Sequence, residues 1–155
     1  MPRPARKSLR TDMRFASLPD AIQSPEIRRA EGPVAIVIAE DEAALLETLT
    51  HNRQIGFKTV IVVAPVDLEI PDPLPHATLR IDHITRGPNV TPSIVNAIVA
   101  ALPEKTWIYY GYNAEFLFYP FSESRTLGEM LTFHTEERRF GMLTYVVDAY
   151  AGDLD

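Results

Sequence analysis

The fold is decided by the stretch Val34-Ala-Ile-Val-Ile-Ala39 and by the similar run Thr59-Val-Ile-Val-Val63 that comes after it. Both runs are short, continuous and rich in β-branched residues, which is typical of strands buried on both faces. Between them, apolar residues recur at helical spacing, namely Leu45, Leu49 and Ile55. Gly56 then stands where a helix is expected to end. This pattern predicts a β-α-β unit with parallel strands.

The rest of the chain extends this unit into a larger sheet. Residues 77–82, 106–110 and 142–147 predict a third, a fourth and a fifth strand. Amphipathic helices are predicted over residues 91–102 and 124–139, because their apolar side chains recur every three or four positions. Alternation of strands and helices is typical of a Rossmann-like three-layer α/β/α fold with a mostly parallel sheet.

Composition restricts the class of protein. The chain has 155 residues, 46% of them hydrophobic and 23% charged, which suits one folded domain and excludes global disorder. It has no cysteine, which excludes disulfides, iron–sulfur clusters, thiolate zinc sites and cysteine nucleophiles. Residues 1–32 contain several prolines and little periodicity, so we expect an N-terminal extension there and a single domain over residues 33–155.

Charge is unevenly distributed along the chain. The net charge is −6, which disfavours nucleic acid as a partner. Residues 1–14 hold five basic residues and one acid, and the remaining 10 basic and 20 acidic residues leave the rest at −10. The basic stretch predicts a solvated tail or a weak peripheral contact with an anionic membrane. Neither a secretory signal nor a transmembrane segment is evident, so we expect a cytoplasmic protein.

Candidate site residues are selected by the fold. Parallel sheets bind ligands beyond the carboxyl ends of their strands, so the residues just after each predicted strand are the ones to inspect. No glycine-rich phosphate-binding motif and no G-x-S-x-G motif occurs there. The four histidines lack the spacing of metal ligands. No single motif therefore identifies the chemistry.

Several segments together resemble family 2-like glycosyltransferases of the GT-A fold. Asp41-Glu42 stands where that family commonly has Asn-Glu, and His51-Asn-Arg-Gln-Ile-Gly56 resembles the end of its first helix. Trp107-Ile-Tyr-Tyr-Gly-Tyr-Asn-Ala-Glu-Phe-Leu117 resembles the segment leading into its Asp-x-Asp motif. Residues 119–123 and 145–154 are similar to the later segments of bacterial members, so the resemblance covers residues 33–155.

The resemblance implies transfer of a sugar from a nucleotide-diphosphate donor. A divalent metal, Mn²⁺ or Mg²⁺, would neutralise the leaving diphosphate. By the same resemblance, Asp41 and Glu42 would contact the nucleoside and Arg86 the diphosphate. Asn113 and Glu115 would hold the metal.

The chain departs from the family where the metal is bound. The Asp-x-Asp positions fall on Tyr112-Asn113-Ala114, so both carboxylates are missing. Asp148 and Asp153 are the candidates for the base that would deprotonate the acceptor. Three interpretations stay open: a piece of a longer transferase, a degenerate domain that binds without catalysis, and an enzyme with a displaced metal site.

A receiver-like phospho-acceptor domain is an alternative. Ile38-Ala-Glu-Asp-Glu42 resembles its acidic pair, and Asp82 would accept the phosphate. Lys105, however, precedes the fourth strand instead of coming after it.

An interaction domain without a small ligand is the third possibility. Residues 107–121 are dense in aromatic side chains, most of which we expect in the core. The others could line a sugar-stacking surface or an interface between copies in a homo-oligomer.

Overall fold

All strands lie in one parallel sheet. The computed structural model describes residues 12–70 and 74–149. The strands are β1 (Asp12–Phe15), β2 (Val34–Ile38), β3 (Thr59–Ala64), β4 (Thr78–Asp82) and β5 (Ile108–Tyr112). The helices are α1 (Leu18–Gln23), α2 (Pro25–Arg28), α3 (Leu45–Ile55), α4 (Val90–Ala101) and α5 (Leu127–Glu136). The strand order is β1-β4-β3-β2-β5. Within the described ranges, no helix has the length and apolarity needed to cross a membrane.

Helices cover both faces of the sheet. On one face, which we call the α4 face, Ile36 and Ile38 pack with α1, α2 and α4. On the other, the α3 face, Ala35 and Val37 pack with α3 and α5. Every residue of β2 and β3 is buried, as the continuous β-branched runs predict. The predicted three-layer α/β/α fold is therefore confirmed.

Residues 12–32 belong to the domain, although the sequence predicts an extension there. β1 pairs in parallel with β4 and forms one edge of the sheet. The side-chain hydroxyls of Ser17 and Ser24 cap α1 and α2, and Ala21 and Ile27 from these helices are completely buried. Each element is too short to produce a visible hydrophobic period, which is why the pattern misses them.

The predicted strand over residues 142–147 is wrong. Residues 140–149 have no regular secondary structure and are exposed to solvent. The run has strong local β propensity, but β5, beside which it would have to pair, is the last strand of the sheet. Asp148 lies in this exposed segment, and Asp153 lies outside the described residues.

We expect Ile27→Ala to lower the free energy of unfolding by about 2–5 kcal/mol, the usual loss for truncating a buried isoleucine. Urea unfolding followed by circular dichroism would measure it. Ile84→Ala removes the same atoms from an exposed side chain and serves as the control. If both variants unfold like the parent protein, residues 12–32 do not contribute to the core.

Candidate functional site

A crevice lies where the strand order reverses. From β2 the chain continues to β3 and β4 on one side, and β5 lies on the other side. In open α/β sheets this switch point, beyond the carboxyl ends of the strands, is the usual ligand site. The loops after β2, β4 and β5 meet here. Four side chains from these loops define what we call the switch-point crevice: Glu40, Asp41, Arg86 and Asn113.

Asn113 joins the loop after β5 to the loop after β2. Its Oδ1 accepts from the backbone N–H of Glu40 at 2.9 Å. Its Nδ2 donates to Asp41 Oδ1 at 2.6 Å and to the carbonyl of Ala43 at 3.1 Å. Its own backbone N–H donates to the carbonyl of Ile38 at 3.1 Å, which continues the pairing of β2 with β5. One short side chain thus fixes the position of the Asp41 carboxylate.

Two buried threonines support the same loops. Thr48 in α3 donates to the carbonyl of Ala44 at 2.7 Å and accepts from the backbone N–H of Ala114 at 3.0 Å. Thr85 donates to the carbonyl of Ala39 at 2.9 Å, so the loop after β4 is attached to the end of β2. Sequence reasoning missed both residues. The available signal was a hydroxyl on the apolar side of α3, three residues after Leu45.

Arg86 is held loosely at the crevice. Its Nε lies 3.7 Å from Glu40 Oε2 and its Nη2 lies 3.9 Å from Asp41 Oδ2, and most of its side chain is exposed. Ion pairs of this kind contribute about 0–1 kcal/mol. The guanidinium can therefore turn towards an anionic ligand at little cost. Glu42 is exposed in the turn that precedes α3.

The two helices that begin beside the crevice lack side-chain caps. Ala44 precedes α3 with φ 47°, and Asn89 precedes α4 with φ 57°. Neither side chain accepts a hydrogen bond from its helix. The hydroxyl of Tyr112, at the end of β5, donates to Thr91 Oγ1 in the first turn of α4 at 3.0 Å. The N–H groups that open both helices are thus available to an anion.

The two side chains predicted to hold a metal have other partners. The Asn113 oxygen accepts from Glu40, and Glu115 Oε2 accepts from the backbone N–H of Tyr112 at 2.9 Å. Over residues 12–70 and 74–149, no group of three or more histidine and acidic side chains is arranged to hold a metal ion. The metal assignment remains a prediction.

Glu115 also acts on Tyr109. A Cβ on Gly111 would stand 2.5 Å from the Tyr109 hydroxyl and 2.9 Å from Glu115 Oε2, so glycine is what lets the two groups lie over the strand. Burial raises the pKa of Tyr109 to about 12, and the charge of Glu115 acts in the same direction. The neutral phenol is therefore stabilised next to the carboxylate.

Asp82 lies away from the crevice. Its largely buried side chain accepts from Arg14 at 2.8 Å and from Arg80 at 2.9 Å. β3 separates β4, which carries Asp82, from β2. In the order 2-1-3-4-5 of the flavodoxin-like fold, to which receivers belong, the third strand lies directly beside the first. The receiver-like alternative does not fit this sheet.

Comparisons with known proteins identify no relative. The scan of protein-family models, the search of curated proteins and the search of solved structures each found no match. Function must therefore be argued from the crevice itself.

We expect the Tyr109 phenol to make stability depend on alkaline pH. In the unfolded chain it ionises near its ordinary pKa of 10.0, whereas in the folded protein it stays neutral up to about 12. The stabilisation is complete below pH 10 and is lost as the pH rises towards 12. Partial exposure limits the loss to about 1–2 kcal/mol.

Unfolding of the parent protein and of Tyr109→Phe at pH 9 and pH 11.5 measures this effect. Tyr109→Phe lacks the alkaline loss, and in Glu115→Gln the phenol ionises at lower pH in an absorbance titration. Equal pH dependence of all three proteins would contradict the assignment.

Proposed function

We propose that this chain is a GT-A-like domain that binds the nucleoside diphosphate part of a nucleotide sugar in the switch-point crevice, without transferring the sugar. One observation carries the proposal. Asp41, Arg86 and Asn113 are far apart in sequence, and hydrogen bonds and ion pairs bring them together at the switch point. The family resemblance selects the same residues independently of the structure.

The crevice offers complementary groups to both halves of a nucleotide. Carboxylates accept hydrogen bonds from ribose hydroxyls and from the N–H groups of a base, and Asp41 and Glu42 are exposed enough to do so. Phosphate oxygens suit the Arg86 guanidinium and the uncapped first turns of α3 and α4. Because Asn113 already orders the loop, binding requires little reorganisation.

Binding without transfer is favoured by what the crevice lacks. Departure of a nucleoside diphosphate requires neutralisation of the charge that develops on it. Tyr112 and Ala114 replace the two family carboxylates, and Asn113 and Glu115 bond to the backbone instead. Arg86 is the one basic side chain that is ion-paired to the crevice acids in the described residues. This supply of positive charge suits recognition better than catalysis.

Isothermal titration of the full chain with UDP and with GDP tests the proposal. We expect binding of at least one of them in EDTA, with no gain on adding Mn²⁺. Arg86→Ala should weaken it about tenfold, which corresponds to about 1.4 kcal/mol. Arg29→Ala removes an exposed arginine that precedes β2 and is the matched control. Absence of binding by the folded protein, or an equal loss in both variants, would refute the donor-site assignment.

Restoring the missing carboxylates tests the relation to the family. In Tyr112→Asp/Ala114→Asp we expect Mn²⁺ to strengthen nucleotide binding, because two carboxylates would then face the diphosphate. Ala114 already has φ 63°, a conformation that aspartate and asparagine tolerate better than alanine. Tyr112→Asn/Ala114→Asn is the neutral control and should not respond to Mn²⁺. Identical titrations of the two double variants would contradict the alignment of these positions.

A further inference from the structure

The chain leaves α5 as an exposed apolar segment, residues 140–147, which we call the arm. Phe140 is 96% exposed and Tyr145 is 84% exposed, and Leu143, Val146 and Val147 are similarly exposed. Among the described residues, no hydrogen bond is formed by the backbone of residues 140–149. A large apolar patch of this kind on a folded protein indicates an interaction surface.

The outer edge of β5 is the complementary feature. Val34 donates to the carbonyl of Trp107, and Asn113 donates to the carbonyl of Ile38, so odd-numbered residues of β5 bond to β2. The backbone groups of Ile108 and Tyr110 therefore point away from the sheet. The N–H of Tyr112 is taken by Glu115. Four backbone groups, two N–H and two C=O, are left at this edge of the described sheet.

Neither the edge nor the arm carries the usual protection. Exposed edge strands are normally blunted by charged side chains or proline. The sequence of β5 is Ile-Tyr-Tyr-Gly-Tyr, and that of the arm is Phe-Gly-Met-Leu-Thr-Tyr-Val-Val, so neither contains a charge or a proline. The arm has high β propensity. The two surfaces therefore match in polarity and in backbone hydrogen bonding.

Parallel pairing of the arm with its own β5 would require the disfavoured crossover hand. From β2 to β3 the chain crosses the α3 face, and from β4 to β5 it crosses the α4 face in the opposite direction. These crossovers have the same hand. After β5 the chain returns over the α3 face, so a parallel strand outside β5 would have the opposite hand. Only about 2% of such connections are left-handed.

Antiparallel pairing with its own β5 is too far. Such a strand would start at the carboxyl end of β5, but α5 ends near the amino end, where Trp107 Nε1 donates to Thr135 Oγ1 at 3.1 Å. Residues 137–139 form the turn that closes α5. The three steps from residue 139 to residue 142 then span at most about 11 Å. β5 alone is about 13 Å long at roughly 3.3 Å per residue.

We propose that residues 142–147 of one copy add as a strand to the outer edge of β5 in a second copy, and that the exchange is reciprocal. Exchange between copies removes both restrictions, because the receiving edge is not tied to the arm by α5. Two arms and two edges would bury on the order of 1,500 Å², within the range of about 1,200–2,000 Å² of stable interfaces. Strand exchange of this kind gives a closed two-fold dimer.

Cysteine cross-linking tests the pairing directly, since the chain has no cysteine of its own. Tyr110→Cys protein is mixed under oxidising conditions with proteins carrying one cysteine at each position from 142 to 147. We expect disulfide-linked heterodimers from alternate positions, because side chains of a strand alternate between faces. Val66→Cys, at an exposed valine outside the arm, is the control. No heterodimer, or equal yield from every position and from the control, would overturn the proposal.

Solution mass gives the second readout. We expect the parent protein to have twice the chain mass of 17.4 kDa in light scattering after size exclusion. Val146→Asp should be monomeric, because it places a charge in the added strand, whereas Val66→Asp should remain dimeric. A monomeric parent protein, or a Tyr110→Cys/Tyr145→Cys chain that closes its disulfide within a monomer, would show that the arm does not pair between copies.

Discussion

The candidate site depends on the three hydrogen bonds made by the Asn113 side chain. An amide combines one acceptor and two donors on a short side chain, and all three are used here, on Glu40, Asp41 and Ala43. Aspartate at this position would offer no donor and would set a second carboxylate against Asp41. The side chain therefore joins β2 to β5 and presents Asp41 in a fixed orientation. Thr48 and Thr85 hold the neighbouring turns in the same way.

This arrangement relates the function we propose to the departure from the glycosyltransferase pattern. A site that uses its polar side chains to fix its own loops has fewer of them left for a metal. The crevice retains exposed carboxylates, a loosely held Arg86 and two uncapped helix starts. These groups can recognise a nucleotide but supply little of the charge that sugar transfer requires. Recognition and catalysis thus separate at the end of β5.

Sequence reasoning predicted the fold where the signal is local and strong. β2, α3 and β3 are predicted by two buried runs around an amphipathic helix, and the switch-point rule then selects Asp41 and Arg86. β1, α1 and α2 were missed because four to six residues cannot show a period. The strand predicted over residues 142–147 failed for a different reason. Local propensity contains no information on crossover hand or on the distance from α5 to the edge of β5.

The supporting residues of the site were hidden for a related reason. Nothing in the sequence distinguishes Thr48 from an ordinary helical threonine, because its partner, the N–H of Ala114, lies 66 residues away. The sequence likewise assigns Asn113 and Glu115 to a metal, since their hydrogen bonds to the backbone exist only in the folded chain. Tertiary contacts, rather than residue type, decide what these polar side chains do.

The most direct test of the central claim is a two-dimensional ¹⁵N–¹H correlation spectrum of the full chain titrated with UDP and with GDP in EDTA. Our account predicts that at least one nucleotide shifts the backbone resonances of residues 40–45, 85–91 and 113–115, together with the side-chain amide of Asn113. Resonances at the amino ends of the strands should not move. Shifts confined to other regions, or none with either nucleotide, would contradict the proposal that the switch-point crevice binds a nucleotide.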